Sequence, residues 1–394
     1  MSRKSFIYLA LFALIGIIAI ITVVASQHDF SQEENELSCD SIGSLSGNTE
    51  VSLEEENTID RISVEDINDV LDNFSDGLIC VRNNEGKCGF IDKERNIRIP
   101  FIFENALGFS EGLAAVKNSK GEWGYINKDG EMVIAYKQYK WVDKFYNGRA
   151  VFEATNGFGV IDNKGKTIIP PSFDWVPFGC GHYHEGILEL LKKDQWKVAC
   201  YDINGVLIIP PSYYIIGDFN QGLAAVNLGN GFGFIDKNGN IKLDGYDKTS
   251  PFYERLALVL KDKQEMFIDK TGAVQFVVPE NMHCSDRFSE GLVHATYTDK
   301  ETIYEHVYLD KKGEVSLRFK YDNEDSFKSD SYFAFHDGMA RVFIKNYWGY
   351  INTSGELQID KLFDFAYDFN DGYALVKKSG KHFLIDKNGN NFFR

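Results

Sequence analysis

The sequence predicts an all-β repeat array of about nine three-stranded units behind an N-terminal transmembrane helix. Three observations carry this. An aromatic-x-x-Gly opening recurs from residues 74, 109, 145, 183, 219, 252, 288, 335 and 369, a period near 35, with Arg255 replacing the glycine once. Each unit also contains an apolar residue followed by Asp or Asn, from Ile91-Asp92 to Ile385-Asp386, with Gly three positions on in all but the first, where Arg95 stands. Finally, Phe (31), Tyr (20) and Gly (35) are abundant while Pro is 8, the balance of short aromatic strands closed by glycine turns.

Taken in order, residues 1–5 form a short cytoplasmic N-terminus carrying Arg3 and Lys4. Residues 6–24 are uncharged and reach about 28 Å as a helix, close to a hydrocarbon core of about 30 Å. The basic residues precede this run and Asp29, Glu33 and Glu34 follow it, so the positive-inside rule puts the repeats on the extracytoplasmic side. The run exceeds the usual apolar region of a signal peptide, which favours a retained signal anchor. The alternative is cleavage after Ala25 and secretion. Residues 25–60 read as an acidic flexible linker, too poor in apolar surface to fold alone. The net charge is −16, and the window 27–76 holds many carboxylates against Arg61 alone. A basic face for nucleic acid is missing.

The repeat domain spans 61–394. Within a unit the expected strands are typified by Leu113–Val116, Trp123–Ile126 and Lys166–Ile169. The Asp/Asn-x-x-Gly segment reads as a turn whose carboxylate caps free N–H groups and whose Gly adopts positive φ. Its composition brushes against a calcium loop, but the position-12 ligand and flanking helices of an EF-hand are missing. The second strand carries an aromatic-Gly pair: Trp123-Gly124, Phe158-Gly159, Phe232-Gly233 and Trp348-Gly349. Gly there admits a close neighbour, and the rings read as repeat core rather than sugar platforms. The third strand runs into Pro, as in Ile169-Pro170-Pro171, and should be an edge or stop there.

Trp-Gly-aromatic-Ile-Asp/Asn-x-x-Gly at this period, followed by Ile-Pro-Pro and Phe-x-Glu/Asp-Gly-x-Ala, resembles the bacterial WG-repeat family over roughly 74–394. Units 4, 6, 7 and 9 have lost the pair (Val198-Ala199, Glu265-Met266, His306-Val307, His382-Phe383) but keep the turn. The resemblance implies a β-repeat interaction module and supplies no catalytic residues.

Two architectures remain open: a closed propeller-like ring and an open, twisted superhelix of β-meanders. Residues 61–72 resemble the connector preceding later units and supply roughly what the ninth unit lacks. Nine three-stranded units exceed the usual propeller of 4–8 four-stranded blades.

Cys80 and Cys88 flank the first hairpin symmetrically about Asn84, to be read as a disulfide or as two buried thiols. No Cys-x-x-Cys spacing suggests zinc. His182, His184 and Glu185 form an H-x-H-E cluster, but without further ligands at readable spacing it reads as an irregular loop rather than a metal site. No nucleophile, phosphate-loop or dinucleotide motif is present, so no catalytic residue and no cofactor is expected. The function expected is a membrane-tethered scaffold for an unknown protein partner at the cell envelope. The alternatives are a glycan or cell-wall binder using repeat aromatics, and, further off, a hydrolase needing a carboxylate cluster at one mouth of a ring. Any specific function should lie where units depart from the consensus, notably the fourth, sixth and seventh.

Overall fold

A computed structural model describes residues 60–174, 184–192, 197–213, 217–299, 302–319, 334–344 and 346–393. All lie in the compact unit Thr58–Arg394. The expected anchor (6–24), linker (25–59), His182, Cys39 and Cys180 fall outside them. Among the described residues the one helical element is a 3-10 turn, Val64–Asp66, and no helix is long and apolar enough to cross a membrane.

Nine small antiparallel sheets follow one another along the chain. Blade 2 shows the plan: a short strand Asn105–Ala106, then Ala114–Lys117, Trp123–Ile126 and an outer strand Met132–Lys137. Among the described residues six of the nine sheets have four strands, not the three the sequence suggests, because a two- to four-residue strand in the connector pairs with the next long one. The aromatic-x-x-Gly motif lies between these two strands. It is a tight turn: Ser110 and Leu113 exchange both backbone hydrogen bonds (2.9 and 3.1 Å), with Glu111 and Gly112 at φ 54° and 80°. The outer strand does not end at its proline. Thr167–Phe173 continues through Pro170 and Pro171 in a bulge, since Val160 opposes Ile169 but Phe158 opposes Phe173. As an edge, it tolerates the missing N–H.

The blades are joined by apolar cores, each shared by two neighbours. The opening aromatic of one blade packs against the third-strand aromatic of the blade before. Ring centroids are 4.9 Å apart for Phe90–Phe109 and Tyr125–Phe145, and 4.8 Å for Phe234–Phe252 and Tyr350–Phe369. Such pairs add about 0.5–1.5 kcal/mol beyond the area they bury. Eight cores of this kind run in sequence order. A ninth unites Val70, Phe74, Ile79 and Ile91 of blade 1 with Leu375, Leu384 and Phe393 of blade 9. The array therefore closes into a nine-bladed ring, a β-propeller, and the open superhelix is excluded.

Closure does not use strand exchange. The N-terminal strand Ile67–Val70 belongs to blade 1's own sheet and meets Lys381–Asp386 of blade 9 by side chains, with Asp69 accepting from the His382 backbone N–H at 3.1 Å.

The second turn behaves as expected. Asp162 Oδ1 accepts from Lys164 and Lys166 N–H, both at 2.9 Å, while Gly165 sits at φ 77°. Its glycine has a further role, because it rests on the outer strand of the preceding blade. A Cβ at Gly355 would lie 2.7 Å from Leu317 Cδ1. The exception, Arg95, is at the closing seam. It keeps positive φ (69°) and its guanidinium donates to the Phe393 carbonyl at 3.4 Å.

Two glycines with the same φ separate conformation from space. Gly112 (φ 80°) has open space and Gly355 (φ 82°) does not. Gly112→Ala should cost about 1 kcal/mol for left-handed backbone. Gly355→Ala should cost about 3 kcal/mol, the same strain plus overpacking, in urea unfolding. Equal costs would remove the packing role.

Candidate functional site

The short strands converge at the centre of the ring. Asp72 of blade 1 accepts from the Gly108 N–H of blade 2 (3.2 Å) and pairs with Lys144 of blade 3. A side chain can span three blades only near the axis. The positions just before and after the opening aromatic therefore form an inner wall.

On the turn face a second set of contacts clips the blades together. The residue before the motif glycine is usually acidic, and its carboxylate accepts the N–H of the next blade's motif glycine. Asp76–Gly112 is 2.8 Å, Glu111–Gly148 2.7 Å, Glu185–Gly222 2.8 Å and Asp337–Gly372 2.6 Å. A lysine following the turn Asp adds an ion pair, as Lys237 does with Glu185 at 3.2 Å and Lys387 with Asp337 at 3.0 Å. Burial alone would raise Glu185, but the Gly222 N–H and Lys237 outweigh it and hold its carboxyl below the usual range. Glu185, of the H-x-H-E cluster read from the sequence as an irregular loop, is thus a structural clip.

Six residues after each opening aromatic, one side chain faces the next blade. Each is paired across the sheet with the third-strand position that carries the core aromatic in most blades. That column reads Cys80, Ala115, Val151, Glu189, Ala225, Leu258, His294, Arg341 and Leu375. Six of the nine are small or apolar. Three ionisable residues, in blades 4, 7 and 8, depart from the pattern, and all three are buried.

Between blades 8 and 9, Arg341 Nη1 donates to the Ala366 carbonyl at 2.7 Å and Nε lies 2.6 Å from Asp368. His336 Nε2 approaches the same carboxylate at 3.6 Å. Between blades 4 and 5, His184 Nε2 stands 3.6 Å from Asp218, and Glu189 occupies the place of Arg341. Burial, then the charge of Asp218, pushes Glu189 well above the usual carboxyl range. Between blades 6 and 7, Arg287 lies over the Tyr253 ring, 4.4 Å from its centroid, and donates to its hydroxyl at 2.9 Å. In blade 7, His294 and His306 stack with their facing nitrogens 2.8 Å apart.

The aromatic-Gly residues named from sequence are architectural. Trp123 and Trp348 are buried in inter-blade cores, and Phe158 and Phe232 are half-buried. Gly124, Gly159 and Gly233 each lie under the bulged outer strand, where a Cβ would meet a backbone carbonyl at 2.8, 2.7 and 2.4 Å, and Gly349 sits opposite Val342. Neither Trp123 nor Trp348 has a free face for a sugar. Cys80 and Cys88 are free, buried thiols. Their hairpin is centred one residue past Asn84: Cys80 opposes Phe90 and Cys88 opposes Arg82, so the two are diagonal. No group of three or more metal-ligating side chains forms among the described residues. The column of blades 4, 7 and 8 escapes a consensus reading because its signal is a departure at one register position, invisible until the hairpins are aligned.

Two outcomes follow. Alkylation and mass mapping of the non-reduced protein should label Cys80 and Cys88 as free thiols, and a linked peptide pair would contradict it. Burial, then the neighbouring His306, holds His294 well below its ordinary value, and burial lowers His306 to about 4. The unfolded chain takes up these protons near pH 6.5, so stability is intact above that and falls as pH drops toward 4. From His306 alone the loss by about pH 5 is about 2 kcal/mol. Urea unfolding across this range should show it, and His306→Gln should remove that share of the slope.

The family described as WG containing repeat matches residues 89–120, 123–157, 158–196, 200–231, 232–264, 308–348 and 348–381. No curated protein matches the chain. Similar solved structures include the computationally designed Ika8 protein, 13% identical over 75% of this chain and 96% of that one, with a TM-score of 0.36. BamB from Moraxella catarrhalis is 9% identical over 75% and 96%, at 0.38. Hsv2 from Kluyvelomyces marxianus is 11% identical over 65% and 100%, at 0.34. At these scores none carries an argument about function. The family matches take in more than half of the chain, so the protein belongs to the WG-repeat family.

Proposed function

We propose that this ring is a non-catalytic scaffold, held at the extracytoplasmic face of a membrane by its N-terminal segment, that docks a protein partner. The observation supporting docking is an apolar belt on the outer strands. Just beyond the second turn, Met132 and Val133, Val206 and Leu207, Ile241, Val274 and Leu357 all stand exposed in blades 2, 4, 5, 6 and 8. These positions recur at one place in the repeat, next to an unpaired strand edge, and repeated exposed apolar groups of this kind mark association surfaces. The tether rests on the uncharged run 6–24 and its flanking charges.

Crosslinking of the full chain in cells, compared with Leu207→Asp/Ile241→Asp, tests the docking. The native chain should crosslink to a second protein, and the variant should lose about tenfold of that product at unchanged circular dichroism. Recovery of the chain alone, or an undiminished product in the variant, would falsify docking through this belt. Loss of the chain from carbonate-washed membranes would remove the tether.

A further inference from the structure

We propose that the inner wall between blades 4 and 5 is a recognition site for a guanidinium or ammonium group presented by a basic segment of the docked protein, held by Glu189 and Asp218. The proposal rests on the scaffold reading and names the chemistry the ring would select.

The first support is internal. Blades 4–5 and 8–9 carry the same trio of positions: His184 and His336 one residue after the opening aromatic, Glu189 and Arg341 six residues after it, and Asp218 and Asp368 just before the next. Both His–Asp pairs stand at 3.6 Å. At blades 8–9 the chain supplies its own guanidinium, which satisfies Asp368 and the Ala366 carbonyl. At blades 4–5 a carboxyl replaces that guanidinium, and the cation has to come from elsewhere.

The second support is Glu189 itself. It is 7% exposed, and its carboxyl has no hydrogen-bond or ion-pair partner among the described residues. Buried acids are normally paired. Two carboxyls on one wall repel as anions, and burial with Asp218 nearby raises the pKa of Glu189. A bound cation relieves both effects. Asp218 is about one-third exposed, so it forms the outer contact through which a cationic group would enter. The described residues offer no three-ligand cluster for a metal ion, whereas a planar guanidinium can bridge two carboxyls with directed donors.

The test uses the full chain in detergent, titrated with N-acetyl-arginine-N-methylamide and its citrulline counterpart by saturation-transfer NMR. The arginine probe should bind and the citrulline probe should not. Glu189→Gln should weaken binding about tenfold or more, the loss of a charge-assisted hydrogen bond. Glu189→Arg, which supplies the group as Arg341 does, should abolish probe binding while keeping the native melting profile. Should it misfold, Asp218→Asn serves instead, with the same expected weakening. Equal binding of the citrulline probe, or undiminished binding in Glu189→Gln or Asp218→Asn, overturns the proposal. The probe assay needs no partner, so failure of the crosslinking experiment and failure of this site are separately visible.

Discussion

Everything in this ring depends on one contact that recurs among the described residues: an opening aromatic inserted against the third strand of the blade before. A three- or four-stranded sheet of this size cannot bury its own apolar face. Phe109 on Phe90, Phe145 on Tyr125 and Phe369 on Tyr350 turn nine marginal sheets into one continuous core. The tight turn after each aromatic fixes its ring. The carboxylate at that turn's left-handed position then reaches the next turn's glycine N–H.

The same geometry explains which residues can vary. Gly124 and Gly159 lie under a carbonyl of the bulged outer strand, so backbone approach demands glycine there. Where the aromatic is lost, at Val198 and His382, the glycine is lost with it, to Ala199 and Phe383, so the pair varies as a unit. Arg95 stands at the seam, where blade 9 presents Phe393, whose carbonyl accepts from the Arg95 guanidinium. At the other turns a glycine faces an outer-strand side chain of the blade before, aliphatic in all but Gly313, which faces Phe276.

Much of the fold is legible in the sequence. Period, turn chemistry and strand content follow from local backbone requirements, which leave marks within a few residues. The short inner strands do not show because two residues such as Asn105–Ala106 carry no periodicity. Ring closure is equally hidden: the period near 35 is the same for a ring and a helix, and the difference lies in whether Phe74 meets Leu384. Most of the acidic window 27–76 falls in the expected linker, but Asp69, Asp72 and Asp76, beyond it, bind blades together. A one-residue displacement of the first hairpin's centre separates a facing cysteine pair from a diagonal one. The candidate site was hardest to see, because Glu189, His294 and Arg341 become one column only after nine hairpins are aligned.

The closing seam also bears on how the protein is made. Eight of its interfaces join stretches near in sequence, such as Glu111 to Gly148, and can form one after another as the chain emerges. The ninth joins residues about three hundred apart, Arg95 to Phe393 and Asp69 to His382. Its loop-closure entropy is met in one step, though it grows only slowly with chain length and the eight ordered blades have already shortened the search. Until then blade 1 presents a bare apolar face, Phe74, Ile79 and Ile91, to whatever surrounds it. The seam is thus the point at which a half-made ring could pair with a neighbouring chain, and its late completion is a kinetic hazard built into any closed repeat.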